Sequence, residues 1–546
     1  MQDEPGVAIR MSDGVDVSVR VYRPDGDGPF PTLFAASPYR YDNDDVPPTM
    51  VFFWHEVGPI HWYVSRGYAY VHLDVRGSGR SGGEFGFFNR RERRDLYEVI
   101  EWIAAQPWSN CKVGGIGQSY YSAAQWCMAA ERPPHLACIA PYDGHIDYYR
   151  GWFYPGGLQS NFLPVWWNGS VRLANKSPFN GQHPRLLTYD LCADVNAHDT
   201  IDEFWDDRSI DAQLAEVTIP VYSVGIWIKR DLHLDGNVRG FHLVKGPKKL
   251  AFSGVPTLPQ ALAEFASVDF HARVLAPFYD QYLKGEETDY TKRPAVEYFV
   301  TGANTKSSAD SWPPAGTAKQ ALHLQAGPSG TLTSLNDGKL GNEAAGGAES
   351  TSFAYPDKQW AIGPVALTSA GPDPIRRVVT FVSPRLEEDV LIAGAPALTL
   401  YLSSTRTDTN VIVKLAVQQP QPDEVRAKGI QPAAQVISKG WLRASQRALD
   451  PANSVAGEPY HSHRKREPLV PGEVYRLDIP LTNLAHLVPA GCRIRLELCC
   501  ADSTVTDLQF GHAFTPDMVG TDTYHHCAKH PSHLMLPVLS GNLPNG

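Results

Sequence analysis

The hydrophobic pattern of the chain changes period three times. Val15, Val17, Val19 and Val21 alternate with polar residues directly after Asp13-Gly14, which predicts a hairpin and a half-buried strand. Short apolar runs follow at Thr32 to Ala36, Tyr68 to Leu73, Val113 to Ile116, Ala137 to Ala140, Ile219 to Gly225 and Lys249 to Phe252. Between two of them Leu96, Val99, Ile100 and Ile103 recur at helical spacing, predicting a helix from near Asp95. A further helix is expected from about Phe265 to Leu283. Strands alternating with helices imply an α/β class with a parallel sheet covered on both faces. The alternation stops between Ile146 and Val217, where aromatic residues and Gly, Asn and Pro loops read as a cap inserted into the core. Ser307 to Gly316 has linker composition. Beyond it helices are not expected. Cys492, Ile494, Leu496, Leu498 and Cys500 alternate with Arg493, Arg495 and Glu497, as in an all-β sandwich. Leu335 to Glu349 is Gly/Ala/Asn-rich and is expected to be loop.

Composition narrows the function classes. A chain of 546 residues needs more than one core. A net charge of -10 disfavours nucleic acid and anionic membranes as partners. The eight cysteines show no framework spacing, and no signal-peptide pattern opens the chain, so a reduced, cytoplasmic protein is expected. The glycosylation sequons at Asn168 and Asn175 are then without consequence. A small-molecule substrate is the expected partner, and self-association is left open.

Two glycine motifs carry candidate chemistry. Asp74-Val75-Arg76-Gly77-Ser78-Gly79-Arg80-Ser81-Gly82 satisfies G-x-G-x-x-G, but Glu84 to Phe88 follows where a dinucleotide site needs a helix start. No cofactor is therefore expected. Val113 to Ser122 contains Gly117-Gln118-Ser119-Tyr120-Tyr121 between a strand and a helix, the setting of a nucleophile elbow, with Tyr121 in place of its last glycine. Tyr39, Ser119 and Asp143 all fall at the carboxyl ends of strands, where open α/β sheets bind ligands.

Taken together, Ser37-Pro38-Tyr39, the Asp74 to Gly82 run, Trp102 to Ser109, the elbow and Asp147-Tyr148-Tyr149-Arg150 resemble the cocaine-esterase-like and X-Pro dipeptidyl-peptidase (CocE/NonD) family of α/β-hydrolases. Gly440 to Ser445 and His530-Pro531-Ser532-His533 extend the resemblance towards the C-terminus. It implies an α/β-hydrolase core over 1–145 and 218–306, a helical cap over 146–217 and a β jelly-roll domain over 317–546. It also implies Ser119 as nucleophile, with the Tyr39 hydroxyl and the Tyr120 amide holding the oxyanion.

The remaining triad members are not evident. Ile228 falls where the resemblance places the acid, and no histidine occurs between His242 and His271, where it places the base. Substitutes are His233, flanked by Asp231 and Asp235, and the pair Asp143 and His145. A metal site among His525, His526, Cys527, His530 and His533 lacks a repeating ligand pair, so no metal is expected. Arg90, Arg91, Arg93 and Arg94 read as a solvated helix entry. Tyr148, Phe153, Trp166, Trp167 and Trp227 are candidates to line the substrate pocket.

Three readings follow. The favoured one is a repurposed hydrolase fold whose oxyanion donors polarise a carbonyl or hold an enolate of a bulky aromatic molecule, as in addition, elimination or C–C bond formation during natural-product biosynthesis. The second is an ester or amide hydrolase with a relocated histidine. The third is a non-catalytic ligand-binding pseudo-hydrolase.

Overall fold

The computed structural model describes residues 1–44, 56–176, 187, 189–329, 334–347, 349–355, 367–368, 371–372, 378–455, 457–502, 511–512 and 518–544. It resolves into two units: 1–152, 163–198 and 203–297 form the first, and 153–162, 199–202 and 298–546 the second.

The first unit is built on eight strands: β1 (Gln2–Arg10), β2 (Asp16–Arg23), β3 (Phe30–Ser37), β4 (Ala69–Asp74), β5 (Ser109–Gly115), β6 (Leu136–Ile139), β7 (Val221–Ile226) and β8 (Lys248–Ser253). They lie in the order β1-β2-β4-β3-β5-β6-β7-β8. β1, β2 and β4 pair antiparallel, and β4 to β8 run parallel, as the apolar runs predict. β4, β7 and most of β3 are buried along their length, which accounts for runs that read as continuously apolar rather than alternating. The chain leaves β3 for β4 on one side and then crosses back to β5 on the other. The β3/β5 boundary is thus the switch point of the sheet, where a crevice opens at the strand ends.

Helix α2 (Arg90–Ala104) starts five residues before the expected Asp95. Asn89 caps it by accepting from the Glu92 amide at 2.9 Å. Its first turn is not a solvated entry as a whole. Glu92 and Arg93 are buried, and the Arg93 guanidinium is satisfied by Glu131 and by the carbonyls of Phe88 and Asp207. The closing helical stretch begins earlier than expected, at Leu258, and is interrupted at Ser267.

The glycines after β4 serve a turn rather than a phosphate. A Cβ at Gly79 would lie 1.9 Å from Asp74 Oδ2, and one at Gly77 would lie 2.2 Å from the Phe85 nitrogen. The loop wraps the Asp74 carboxylate, which accepts from the Tyr41 and Arg80 amides at 2.8 and 2.9 Å. Burial raises Asp74 from the usual 3.8 to about 7. The folded state therefore holds this proton more tightly than the unfolded chain. Its stabilising contribution is full below the unfolded value and is lost as pH rises through about 7. In urea titrations, Asp74→Asn should flatten the stability profile between pH 4 and 8 (roughly the window from unfolded to folded titration) relative to wild type. Parallel profiles would contradict this.

The second unit is β-rich. Asn410–Gln418 lies antiparallel between Ala434–Arg443 and Arg493–Cys499. Leu398, Leu400 and Leu402 are buried while Thr399 and Tyr401 are half-buried, the alternation of a sheet with one face on a core. Three expectations fail here, the first being the absence of helices, since Asp423–Arg426 is a short helix. Ser334–Gly341 is a strand rather than loop, because pairing with His323–Gln325 and Val378–Val382 supplies backbone bonds that composition does not reveal. Thr305–Ala309, which overlaps the start of the expected linker, is also a strand.

Candidate active site

Ser119 sits between β5 and helix α3 (Tyr120–Glu131) with φ 60 and ψ -116, a strained conformation for a side-chain-bearing residue. Gly117, at φ 121, makes the corner possible: a Cβ there would lie 2.3 Å from the Tyr121 Cβ. Tyr121 stands where the motif has its last glycine because its ring leaves the corner and its hydroxyl reaches His72 Nε2 at 3.1 Å. Asp143, at the end of β6, is also at positive φ (50). Its carbonyl accepts the Ser119 amide at 2.8 Å, so the two strained residues clamp each other.

The Tyr39 hydroxyl lies beside the Ser119 side chain. The Tyr39 oxygen accepts from Trp166 Nε1 at 2.7 Å, which leaves its proton for a substrate oxygen. Burial, and after it the charge of Glu56, raises the phenol well above its usual value, so Tyr39 is a neutral donor. Tyr120 opens α3, and its amide is one of the helix's orphan donors. Its ring stacks on Phe88 at 4.2 Å, and its hydroxyl donates to Glu92 Oε1 at 2.7 Å. The side chain is thereby locked and the amide held in place. Burial raises Glu92 to about 7.

The expected bases use their Nδ1 lone pairs on other partners. His233 is buried, and its Nδ1 accepts from Trp152 Nε1 at 3.2 Å. An indole nitrogen only donates, so the neutral imidazole carries its proton on Nε2 and has no lone pair there to offer. Burial, then the charge of Lys229, keeps the ring neutral. His145 is wedged in a slot: a Cβ on Gly151 or Gly236 would come within 2.4 Å of it. Its Nδ1 accepts from the Asp147 amide at 2.9 Å, and burial lowers it to about 4. No imidazole is hydrogen-bonded to Ser119 among the described residues.

The loop after β7 contributes a cation instead of an acid. Ile228 packs against the apolar core, and Lys229 places Nζ 2.5 Å from Asp143 Oδ2 with both side chains buried. Gln118 Nε2 donates to the same oxygen at 2.6 Å. Sequence spacing gave no signal for this pair, whose members lie 86 residues apart.

Of the candidate pocket aromatics, Trp166 is tied to the site through Tyr39. Tyr148 is stacked on Phe88 at 4.8 Å, Trp167 on Phe85 at 5.4 Å and Trp227 on Phe252 at 4.2 Å, all buried. Phe153 groups with the second unit, stacked on Phe162. Asn175, on the cap helix Arg172–Lys176, donates to the carbonyl of Pro38 at 2.8 Å and accepts from the Gly79 amide at 2.7 Å. It ties that helix to the segment carrying Tyr39.

Residues 13–254 match the family model described as X-Pro dipeptidyl-peptidase (S15 family), and 288–535 match that of the X-Pro dipeptidyl-peptidase C-terminal non-catalytic domain. The chain is similar to a cocaine esterase from a Rhodococcus species, 25% identical and aligned over 98% of each chain. It is 26% identical to a putative serine esterase from Mycobacterium tuberculosis, over 87% of this chain and 84% of that one. Among solved structures, a CocE/NonD family hydrolase from Staphylococcus aureus superposes with a TM-score of 0.81 at 23% identity, covering 98% and 93% of the two chains. An α-amino acid ester hydrolase does so at 0.71 and 18%, covering 98% and 96%.

Proposed function

The chain belongs to the cocaine-esterase-like and X-Pro dipeptidyl-peptidase (CocE/NonD) family of α/β-hydrolases, and from that premise we propose that it is an enzyme that polarises a substrate carbonyl without forming an acyl-enzyme. The Tyr39 hydroxyl and the Tyr120 amide donate to the carbonyl oxygen and stabilise it as an oxyanion or enolate. Ser119 positions the substrate through its own hydroxyl. The observation that carries this reading is the Tyr39 hydroxyl held by Trp166 beside Ser119, while His145 Nδ1 and His233 Nδ1 accept from the Asp147 amide and Trp152. A serine hydroxyl without a proton acceptor is a weak nucleophile, whereas oxyanion stabilisation outlasts loss of a triad. The substrate is a small molecule presenting its carbonyl beside Trp166, in keeping with a bulky aromatic compound. The relatives named above are named as esterases or hydrolases, and none for C–C bond formation or natural-product biosynthesis.

A second reading, a serine ester or amide hydrolase, draws support from the strained Ser119 and from the family itself. Treatment with a fluorophosphonate followed by intact-mass analysis separates the two. Folded wild type should gain no adduct. An adduct present in wild type and absent in Ser119→Ala would overturn the first reading in favour of the second.

A further inference from the structure

Both groups that hold the carbonyl in this reading belong to one aromatic cluster, and that cluster is fastened to a buried carboxylate. The Tyr120 ring stacks on Phe88 at 4.2 Å and on Trp166 at 6.2 Å, and it meets the Tyr39 ring edge-on at 6.1 Å. Trp166 in turn donates to the Tyr39 oxygen at 2.7 Å. A tilt of the Tyr120 ring therefore reaches Tyr39 by two routes, directly and through Trp166. The polar contact that opposes such a tilt is the Tyr120 hydroxyl, which donates to Glu92 Oε1 at 2.7 Å. Glu92 is 1% exposed, so water does not compete for that bond.

The charge of Glu92 sets the strength of the bond, and its surroundings leave that charge variable. On its own helix, Arg93 turns to Glu131, and Asp95 is paired with Arg76 and Arg91. From the chain before β7, Arg208 adds a cation whose guanidinium is bound to the carbonyls of Phe204 and Gly86. Burial raises the Tyr120 and Tyr148 phenols well above their usual value and the Cys127 thiol to about 12, so these three stay neutral. Glu92 is raised into the neutral range by its own burial, with the Tyr120 hydroxyl the largest cause acting against the rise.

We propose that Glu92 is a positioning residue of the carbonyl site, acting through the Tyr120 hydroxyl, and that its ionised form is the one that keeps both donors aligned. The inference rests on the carbonyl-polarising reading above. Ionised Glu92 accepts the phenolic proton in a charge-assisted bond. Protonated Glu92 offers a neutral oxygen, and the bond weakens about twofold. The Tyr120 ring, and with it Trp166 and Tyr39, then samples a wider range of orientations, and the donors lose preorganisation. No proton passes between Glu92 and the substrate in this role. Activity is full above the Glu92 value and declines as pH falls through about 7.

The test uses 2-tetralone, an aromatic ketone with exchangeable α-hydrogens, in D2O, followed by NMR from about pH 5 to 9. Glu92→Gln keeps an oxygen for the Tyr120 hydroxyl but never carries charge. The ratio of wild-type to Glu92→Gln rates cancels every titration the two share, Asp74 included. It should rise about tenfold with pH around a midpoint near 7, a smaller effect than deleting a whole oxyanion donor. Tyr120→Phe retains Glu92 but cuts the route, so its rate relative to Glu92→Gln should be flat with pH. A structural role for Glu92 would move stability and leave both ratios flat. If Glu92→Gln fails to fold, the ratio of wild type to Tyr120→Phe should show the same rise. A flat wild-type ratio, or a rise that persists in Tyr120→Phe, overturns the inference while exchange above buffer keeps the carbonyl-polarising reading standing. Wild type no faster than buffer overturns both.

Discussion

Tyr39→Phe should slow carbonyl-dependent turnover by about 10²–10³-fold, the usual effect of deleting one oxyanion donor. The phenol is well placed for such an effect. It is buried, it stays neutral, and its oxygen already accepts from Trp166, so the proton it donates has a fixed direction. Phenylalanine keeps the ring and its packing beside Tyr120 and Tyr121, 6.1 and 5.9 Å away between centroids. Binding should therefore change little, and the loss should fall on kcat. Single-turnover deuterium exchange of 2-tetralone, with its affinity measured separately, gives both quantities. A loss confined to affinity would show that Tyr39 serves only as a wall of the site.

Lys229→Met should cost the first unit about 3–5 kcal/mol, because it leaves the Asp143 carboxylate buried without its cation. The pair is closed at 2.5 Å with neither side chain appreciably exposed, so water cannot replace the ammonium. Asp143→Asn/Lys229→Met removes both charges and should recover most of the loss, since apolar or neutral replacements of buried pairs are often nearly neutral. Urea denaturation of the two singles and the double gives the coupling. A double variant as unstable as Lys229→Met would place the cost in lost packing instead of in the charge.

How much of this was legible in the sequence follows from the range of the interactions. The parallel strands and the serine corner are local: apolar runs mark the one, and Gly117 ahead of Ser119 marks the other. Strand ends could be assigned to one face because parallel topology forces them there, which brought Tyr39, Ser119 and Asp143 together. Lys229 was not legible, since nothing local says that a loop lysine will close on an aspartate from the neighbouring strand. His233 is near enough to be a candidate, but the hydrogen bond from Trp152 that fixes its tautomer exists only in the fold. Aromatic content alone could not separate pocket from core, and stacking consumes Tyr148, Trp167 and Trp227. Ser334–Gly341 carries two glycines and polar residues that argue against a strand, and neighbouring strands override them.

The mutual clamp between Ser119 and Asp143 also restricts which sequences can be reached from this one. An acid in place of Lys229, next to position 228 where the resemblance expects one, would set two carboxylates against each other in a buried site, and a histidine after β8 would still be lacking. Removing Asp143 first would unpair Lys229 and disturb the residue whose carbonyl holds the Ser119 amide. Each single step towards a histidine-based hydrolase is thus destabilising before any step is useful. Laboratory evolution from this chain should find that activity only through libraries that change positions 143, 229 and the loop after β8 together.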